Sequence, residues 1–375
     1  MKIGILTFHA AHNYGSMLQN YALQQVLIKL GHQPETINLR TELQKEIYDF
    51  FLPFCKMKDK KHIARRIIFR PWKKSLLKKF QLFEQFLSNE LSLSNEIAEY
   101  GQLNTLLSYD GYIIGSDQCW NVAADDFDWS YFLDFTPDSS RRISYAISAG
   151  PHPKEAYAEK ADYVPRIKEN LNRFDAISVR DNDTKAEIDA IVEGAKEVNV
   201  HVDPTLLLTA DEWSKLAGDE PLIKKPYVFF YNPYWIGNVF EQAVELGKIT
   251  NLPVVNSVPN MVALVKRMKF EKYFESGPKE FLNLVKNADY VVGRSFHLMV
   301  FCAIFHKKFI AIDGMGDSRI SELLRKTGLE ACASDNGNLT DVLARIGGID
   351  YETADCKIAE ERQRSIAWLN EHLCE

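Results

Sequence analysis

Cysteine is scarce in this sequence and follows no recognisable pattern. The 375 residues include six cysteines, and no pair of them has the CxxC spacing of a zinc or redox site. This argues against a disulfide framework and for reduced thiols in a cytosolic protein. Cys302 lies within the apolar run 300–304 and is expected in the core.

Long apolar runs are missing as well. No stretch approaches the roughly 20 residues that a membrane-spanning helix needs. The N-terminal run 3–8 is too short for a secretory signal, lacks a small-residue cleavage site and is typical of a buried strand. The sequence therefore predicts a cytoplasmic protein.

Common catalytic and nucleotide-binding signatures are also absent. The sequence has no GxGxxG, GxxxxGK[ST], HExxH or GxSxG motif and no cluster of metal-ligand residues. We therefore expect no metal and no bound cofactor, and a substrate that already carries an activated group.

The sequence does contain the pattern of a two-domain α/β protein. A chain of 375 residues exceeds the size of most single cores, and apolar strands alternate with periodic helices, each strand being followed by a polar turn. We predict two Rossmann-like doubly wound domains facing a cleft: 1–210, with a basic helical insertion at about 41–100, and 211–375. The last helix, 359–373, is expected to pack back across the domain boundary.

One segment differs from the rest of the chain in charge. Residues 56–80 hold eleven lysines and arginines and one acid, Asp59, in a protein of net charge −6. Apolar residues recur within it at the spacing of an amphipathic helix. Peripheral contact with the inner face of a membrane, packing on a second domain, and a solvated helix face without a partner all remain open. Nucleic acid is not expected, because the remaining chain is acidic and has no recognition motif.

Two loops carry polar residues. One lies between the first predicted strand and the first predicted helix, and the other directly follows a predicted strand. Their candidate residues are Asn13, Tyr14 and Gly15 in one loop, and Ser116, Asp117 and Gln118 in the other. Polar groups at the carboxyl end of a parallel strand, and backbone N–H groups at a helix start, can bind a polar or anionic ligand. Each loop also has a structural explanation: Asn13 or Ser16 as a helix cap, and a capped turn whose Trp120 fills the core.

Two further strand ends carry cationic residues. Arg180 can bind a carboxylate or phosphate through its planar guanidinium, or form a salt bridge with Asp181 or Asp183. Arg294 and His297 flank a strand-to-helix junction, where the helix dipole attracts anions and a histidine can exchange protons near neutral pH. A histidine beside an apolar helix can also be purely structural.

In their order and spacing, these segments resemble the polysaccharide pyruvyl transferase family over nearly the whole chain. The resemblance is carried by residues 3–7, 13–15, 18–19, 115–118, 120–121, 131–135, 143–146, 178–180, 203–208, 295–297 and 300–301. One departure stands out. Many relatives have Arg-Leu-His where this chain has Ser295-Phe296-His297, with its arginine one place earlier at Arg294. Within a helix, the side chains of successive residues point in directions about 100° apart.

The resemblance implies a fold similar to the two-Rossmann-domain GT-B glycosyltransferases. It also implies phosphoenolpyruvate as donor and a sugar diol as acceptor, in polysaccharide biosynthesis. By this likeness Arg180, Arg294 and Ser295 bind the donor's phosphate or carboxylate, His297 transfers the proton, and the loops 13–15 and 116–118 serve the acceptor or the cleft. The basic segment 56–80 predicts an acceptor linked to a lipid diphosphate.

Two other functions remain open at this stage. One is a GT-B-type glycosyltransferase with a nucleotide-sugar donor. The other is a non-catalytic accessory protein of glycan assembly that binds a sugar or a lipid.

Overall fold

The computed structural model describes most of the chain. The described residues are 1–48, 67–103, 108–233, 239–334 and 339–374. The chain divides into two compact units. The first comprises Met1–Arg70, Gln85–Leu207 and Glu361–Glu375, and the second comprises Pro71–Glu84 and Leu208–Glu360.

The first unit is built on a six-stranded parallel sheet. Its strands are β1 (Lys2–Leu6), β2 (Gln33–Thr36), β3 (Gly111–Ile114), β4 (Arg141–Ile147), β5 (Ala176–Val179) and β6 (Val198–Val200). They lie in the order β2-β1-β3-β4-β5-β6. All residues of β3 and β5 are buried, as expected for central parallel strands covered on both faces.

The second unit contains another six-stranded parallel sheet. Its strands are β7 (Val228–Tyr231), β8 (Val254–Asn256), β9 (Glu271–Lys272), β10 (Tyr290–Gly293), β11 (Lys308–Ile312) and β12 (Ala333–Ser334). Their order is β12-β11-β10-β7-β8-β9. Relative to β7 as first strand, this is the 3-2-1-4-5-6 order of dinucleotide-binding folds.

Helices connect the strands of both sheets. In chain order they are α1 (Tyr14–Lys29), α2 (Glu42–Tyr48), α3 (Lys73–Glu90), α4 (Pro153–Glu159), α5 (Val164–Asn172), α6 (Asn182–Val192), α7 (Ala210–Ala217), α8 (Val239–Thr250), α9 (Met261–Val265), α10 (Pro278–Lys286), α11 (Phe296–Ile304), α12 (Ser318–Thr327), α13 (Leu339–Ile346) and α14 (Tyr351–Cys374). None of the helices in the described part of the chain is both long and apolar enough to span a membrane.

The predicted α/β class with two parallel sheets is confirmed. The structure differs from the prediction in two very short strands and in the start of the last helix. The two-residue strands β9 and β12 were not predicted, because two residues are too few to show a period of two. The final helix begins at Tyr351 instead of residue 359. Cys302 is fully buried, as expected, and burial raises the pKa of its thiol well above the ordinary value.

The described part of the basic segment packs on its own chain. The Trp72 ring meets Phe274 edge to face at 5.9 Å, and Lys79 Nζ donates to the carbonyl of Ser257 at 3.1 Å. Leu76 is buried. Residues 71–84, which the sequence assigns to the N-terminal domain, therefore belong to the second unit. Residues 56–66 of the segment lie outside the described residues.

Gly293 ends β10 at a point where the sheet has no room for a side chain. It lies opposite Tyr231 of β7, and a Cβ atom on Gly293 would stand 2.0 Å from the Tyr231 carbonyl oxygen. The Gly293 backbone fixes the position of that Cβ, and the oxygen belongs to the Tyr231 backbone of the paired strand, so neither can rotate away.

Gly293→Ala is expected to lower the free energy of unfolding by about 1–3 kcal/mol or more, as overpacked sites do. Thermal and urea unfolding would measure the loss. Gly348→Ala is a matched control, because its nearest atom would be 3.9 Å away, and we expect a change within about 0.5 kcal/mol. Equal stability of the two variants would contradict the steric argument.

Candidate functional site

Each sheet has one point where the strand order reverses direction. In the first unit β1 is followed by β2 on one side and by β3 on the other. In the second unit β7 is followed by β8 on one side, and β10 lies on its other side. Loops that leave neighbouring strands in opposite directions open a crevice at the carboxyl edge, where open α/β sheets bind ligands. Three of the four predicted loops follow strands at these reversals: those after β1, β3 and β10.

At the first reversal, the loops after β1 and β3 are joined by hydrogen bonds. Ser16 donates from its hydroxyl to Asp117 Oδ2 at 2.5 Å, and Thr7 donates to the carbonyl of Ser116 at 2.8 Å. Asn13 caps α1 by accepting from the N–H of Gly15 at 2.9 Å, so the predicted capping role is confirmed. The structure thus brings the two candidate loops together.

Asp117 has an unusual backbone conformation in this crevice. Its φ is +81°, a left-handed value that costs energy for a residue with a side chain. The residue directly after β4 holds this conformation, since Ser148 N donates to the Asp117 carbonyl at 2.8 Å. Strained backbone held by its surroundings is common at functional sites.

Cys119 and Trp120, which follow Gln118, are structural. Trp120 is fully buried, stacks on Phe132 at 5.4 Å and donates from Nε1 to the Tyr131 carbonyl at 2.9 Å. Burial, together with nearby Asp117, raises the pKa of the Cys119 thiol well above its ordinary value. The thiol is therefore protonated at neutral pH and is not a nucleophile.

Arg180, at the end of β5, forms a buried ion pair. Its Nη1 lies 2.9 Å from Asp203 Oδ2, and the two side chains are 3% and 0% exposed. Asp203 Oδ2 is also 2.9 Å from the Ser116 hydroxyl, while Oδ1 accepts from the N–H and hydroxyl of Thr205 at 3.0 and 2.7 Å. Asp203 therefore links Arg180 to one of the loops at the first reversal.

The sequence predicted Asp181 or Asp183 as a salt-bridge partner of Arg180, and this prediction was wrong. Asp181 instead caps α6, accepting from the N–H of Thr184 at 2.8 Å and from the hydroxyl of Ser148 at 2.9 Å. Successive side chains of extended backbone point to opposite sides, which separates Arg180 from Asp181.

At the second reversal, α11 begins without a side-chain cap. Ser295 occupies the N-cap position with extended backbone (φ −158°, ψ 130°), and its side chain makes no cap hydrogen bond. The first N–H groups of a helix have no partner within the helix, and they carry the positive end of its dipole. Both effects favour an anion at this helix start.

Arg294 lies directly before this helix start. Its Nη1 is 2.7 Å from Asp313 Oδ2, and the two side chains are 21% and 46% exposed. Because α11 begins only at Phe296, Arg294 and Ser295 belong to the extended connection. The rotation of about 100° per residue expected within a helix therefore does not apply to them.

His297 stands on the first turn of the same helix. Its side chain is largely buried, with 9% exposure, and its ring packs edge to face against Phe296 at 5.2 Å. Arg294, Ser295 and His297 therefore share one strand-to-helix junction, which the structure places at the carboxyl edge of the second sheet.

Sequence reasoning missed two acidic residues of these sites as partners of the arginines. Asp203 follows β6, and Asp313 follows β11 with a φ of +53°. Their common signal is an aspartate immediately or shortly after an apolar strand, followed by a turn. Within the described residues, no group of three or more His, Cys, Asp or Glu side chains is placed to hold a metal ion.

The two-domain α/β fold is similar to that of GT-B glycosyltransferases and sugar-nucleotide epimerases. UDP-GlcNAc 2-epimerase from Methanocaldococcus jannaschii is similar with a TM-score of 0.52 and 13% identity, covering 92% of each chain. An alpha-glucosyltransferase in complex with UDP is similar with a TM-score of 0.51 and 12% identity, covering 99% of this chain and 96% of that one. At sequence identities this low, the similarity shows the fold alone.

The sequence itself identifies the family. A sequence model of the polysaccharide pyruvyl transferase family matches residues 13–314, which include every candidate site residue. The chain belongs to the polysaccharide pyruvyl transferase family, as the resemblance predicted. No protein of curated function matches the sequence significantly.

Proposed function

We propose that the protein transfers the enolpyruvyl group of phosphoenolpyruvate onto two hydroxyls of a sugar in polysaccharide biosynthesis. A proton adds to the methylene carbon of the donor, which leaves a cation-like centre at C2. One sugar hydroxyl attacks C2 and loses its proton, and the bond from C2 to the phosphate oxygen breaks. The second hydroxyl then adds to C2 and loses its proton. The products are a pyruvate ketal and inorganic phosphate.

One observation carries this proposal: the start of α11 has Arg294 directly before it and His297 on its first turn. An anionic enol phosphate needs fixed positive groups for its charges and a proton donor for its carbon. The positive end of the helix dipole and a guanidinium supply the first. A histidine supplies the second.

The two ion pairs differ in how readily they can yield their arginine to a ligand. The Arg294–Asp313 pair is partly exposed, and such pairs contribute only about 0–1 kcal/mol. Exchanging Asp313 for a donor phosphate therefore costs little. The Arg180–Asp203 pair is buried, and separating it would leave a desolvated charge. We therefore assign the main donor contact to Arg294 and Ser295, and a supporting role to Arg180.

The acceptor is assigned to the loops at the first reversal. Asn13 and the first two residues of α1, Tyr14 and Gly15, lie on one side, and Ser116, Asp117 and Gln118 lie on the other. Carboxylate and amide groups accept hydrogen bonds from sugar hydroxyls, so Asp117 and Gln118 are the residues best suited to hold a diol.

Phosphate release from phosphoenolpyruvate, measured with a panel of sugar acceptors, tests the function. Acceptor-dependent release together with a ketal product supports pyruvyl transfer. Stabilisation by UDP- or GDP-sugars with no response to phosphoenolpyruvate would instead support glycosyl transfer. Ligand binding without turnover of any donor would indicate an accessory protein of glycan assembly.

The lipid-linked form of the acceptor is a separate part of the proposal. Lys73, Lys74 and Lys78 on α3 are exposed, so the basic segment can still meet an anionic lipid surface at the inner membrane face. We expect liposomes with anionic lipid to retain the protein at low salt and to release it as salt screens the charges. Equal retention on neutral liposomes, or none on either, would rule out this contact.

A further inference from the structure

A pocket lies in the second unit, beside β8 and β9. Its volume is about 200 Å³, and its walls include the aromatic rings of Trp72, Phe270 and Phe274. This is smaller than the roughly 300–1,000 Å³ of sites for drug-sized ligands. A volume of this size encloses one flat ring system, and the remainder of a larger ligand lies outside it, along the exposed side chains at its rim. None of the residues assigned to the donor or the acceptor lines it.

The aromatic walls are held in place by their neighbours. Trp72 packs edge to face on Phe274 at 5.9 Å, and Phe270 stacks on Phe230 at 5.3 Å. Lys272 Nζ lies 4.8 Å from the centroid of the Trp72 ring. Rings fixed in this way offer a flat apolar surface, which favours a planar ligand.

The amide of Asn256 supplies a polar group in this pocket. Asn256 is only 4% exposed, and its Oδ1 accepts from the N–H of Val258 at 3.0 Å. Its Nδ2 donates no hydrogen bond within the described part of the chain. Asn256 also ends β8, the second strand of the 3-2-1-4-5-6 order. In that fold an Asp or Glu near the end of the second strand binds a ribose hydroxyl, and here the amide of Asn256 occupies the corresponding strand end.

The charge of the pocket favours an anion. Arg267 and Lys272 are exposed and line it, and none of its lining residues is acidic. Neither cation forms an ion pair with a carboxylate of the described residues. Two unbalanced cations in a protein of net charge −6 form a local site for phosphate groups.

We infer that this pocket binds a nucleoside diphosphate. The base stacks against Trp72, the ribose accepts a hydrogen bond from Asn256, and the phosphates lie against Arg267 and Lys272. An isoprenoid phosphate would satisfy the apolar walls and the cations, but its chain would leave the Asn256 amide without a partner. The inference does not depend on pyruvyl transfer.

Isothermal titration of the full-length protein with ADP, GDP, CDP and UDP tests this inference. At least one of them is expected to bind more tightly than its nucleoside and more tightly than pyrophosphate. Arg267→Glu and Lys272→Glu are each expected to weaken binding about tenfold or more, since a hydrogen bond to a charged group contributes about 1.5–3 kcal/mol. Both side chains are exposed, so the variants should fold normally.

Arg325→Glu serves as the matched control, because Arg325 is exposed on α12 of the same unit and does not line the pocket. It should bind the nucleotide like the parent protein. The inference is overturned if no nucleoside diphosphate binds at millimolar concentration, if Arg267→Glu binds as well as Arg325→Glu, or if farnesyl diphosphate displaces the nucleotide at lower concentration.

Measuring nucleotide binding and phosphate release on the same protein distinguishes this inference from the proposed function. Nucleotide binding that depends on Arg267, without acceptor-dependent phosphate release, would support the pocket and contradict pyruvyl transfer. Phosphate release without nucleotide binding would do the reverse.

Discussion

Asp203→Ala is expected to lower the free energy of unfolding by about 3–5 kcal/mol, because it leaves Arg180 as a buried charge without its counterion. The two groups lie 2.9 Å apart, and neither is more than 3% exposed. The variant also removes the acceptor for the N–H and hydroxyl of Thr205. Chemical unfolding of both proteins at one pH would measure the difference.

A double variant separates charge from packing at this site. Asp203→Asn alone keeps the shape of the side chain but leaves the arginine unbalanced, so we expect a large loss of stability. Arg180→Gln combined with Asp203→Asn removes both charges and should be more stable than Asp203→Asn, since buried pairs can be replaced by neutral groups at small cost. If the double variant is the less stable of the two, the unbalanced charge is not the cause.

The double variant also tests the supporting role of Arg180. If Arg180 only stabilises the loops through Asp203 and Ser116, the KM for phosphoenolpyruvate should change little once the charges are removed together. A large rise in KM in a stably folded double variant would show that Arg180 binds the donor directly.

His297→Gln is expected to reduce kcat for phosphate release by about 10²–10⁴-fold, the usual contribution of a positioned proton donor. Glutamine has a similar size and retains hydrogen-bonding groups, but its amide does not transfer a proton at neutral pH. The KM for phosphoenolpyruvate should change much less than kcat, because the proton is needed in the transition state. Steady-state phosphate release and a melting curve would measure both effects.

His306→Gln is the matched control for His297→Gln. His306 belongs to the same unit, and its side chain is 45% exposed and lies 2.9 Å from Asp355. Its replacement should leave phosphate release unchanged. If His297→Gln keeps a rate within about threefold of this control, which corresponds to less than about 1 kcal/mol, His297 is not the proton donor.

The stability of the fold and the proposed chemistry are concentrated at different aspartate–arginine pairs. The buried pair of Arg180 and Asp203 joins β5 and β6 to a loop of the first reversal. The partly exposed pair of Arg294 and Asp313 can exchange one partner for a ligand. The same two residue types therefore stabilise the fold where they are buried and can bind a ligand where they are partly exposed.

Local pattern alone determined much of this protein. Apolar strands such as Ala176–Val179 have the composition of central parallel strands, and polar or charged residues directly after them predicted the ligand edge. The junction with Arg294, Ser295 and His297 was predicted in this way. An apolar strand, a glycine and a helix start can all be recognised from residues that are adjacent in sequence.

Only the tertiary structure decided which of these residues meet. Arg180 pairs with Asp203, across 23 positions of sequence, and not with Asp181 beside it. Of the four predicted loops, the strand order places those after β1, β3 and β10 beside a reversal. The periodicity of a strand or helix records which of its faces is buried. It does not record the partner, because contacts between distant segments are fixed by how the whole sheet assembles.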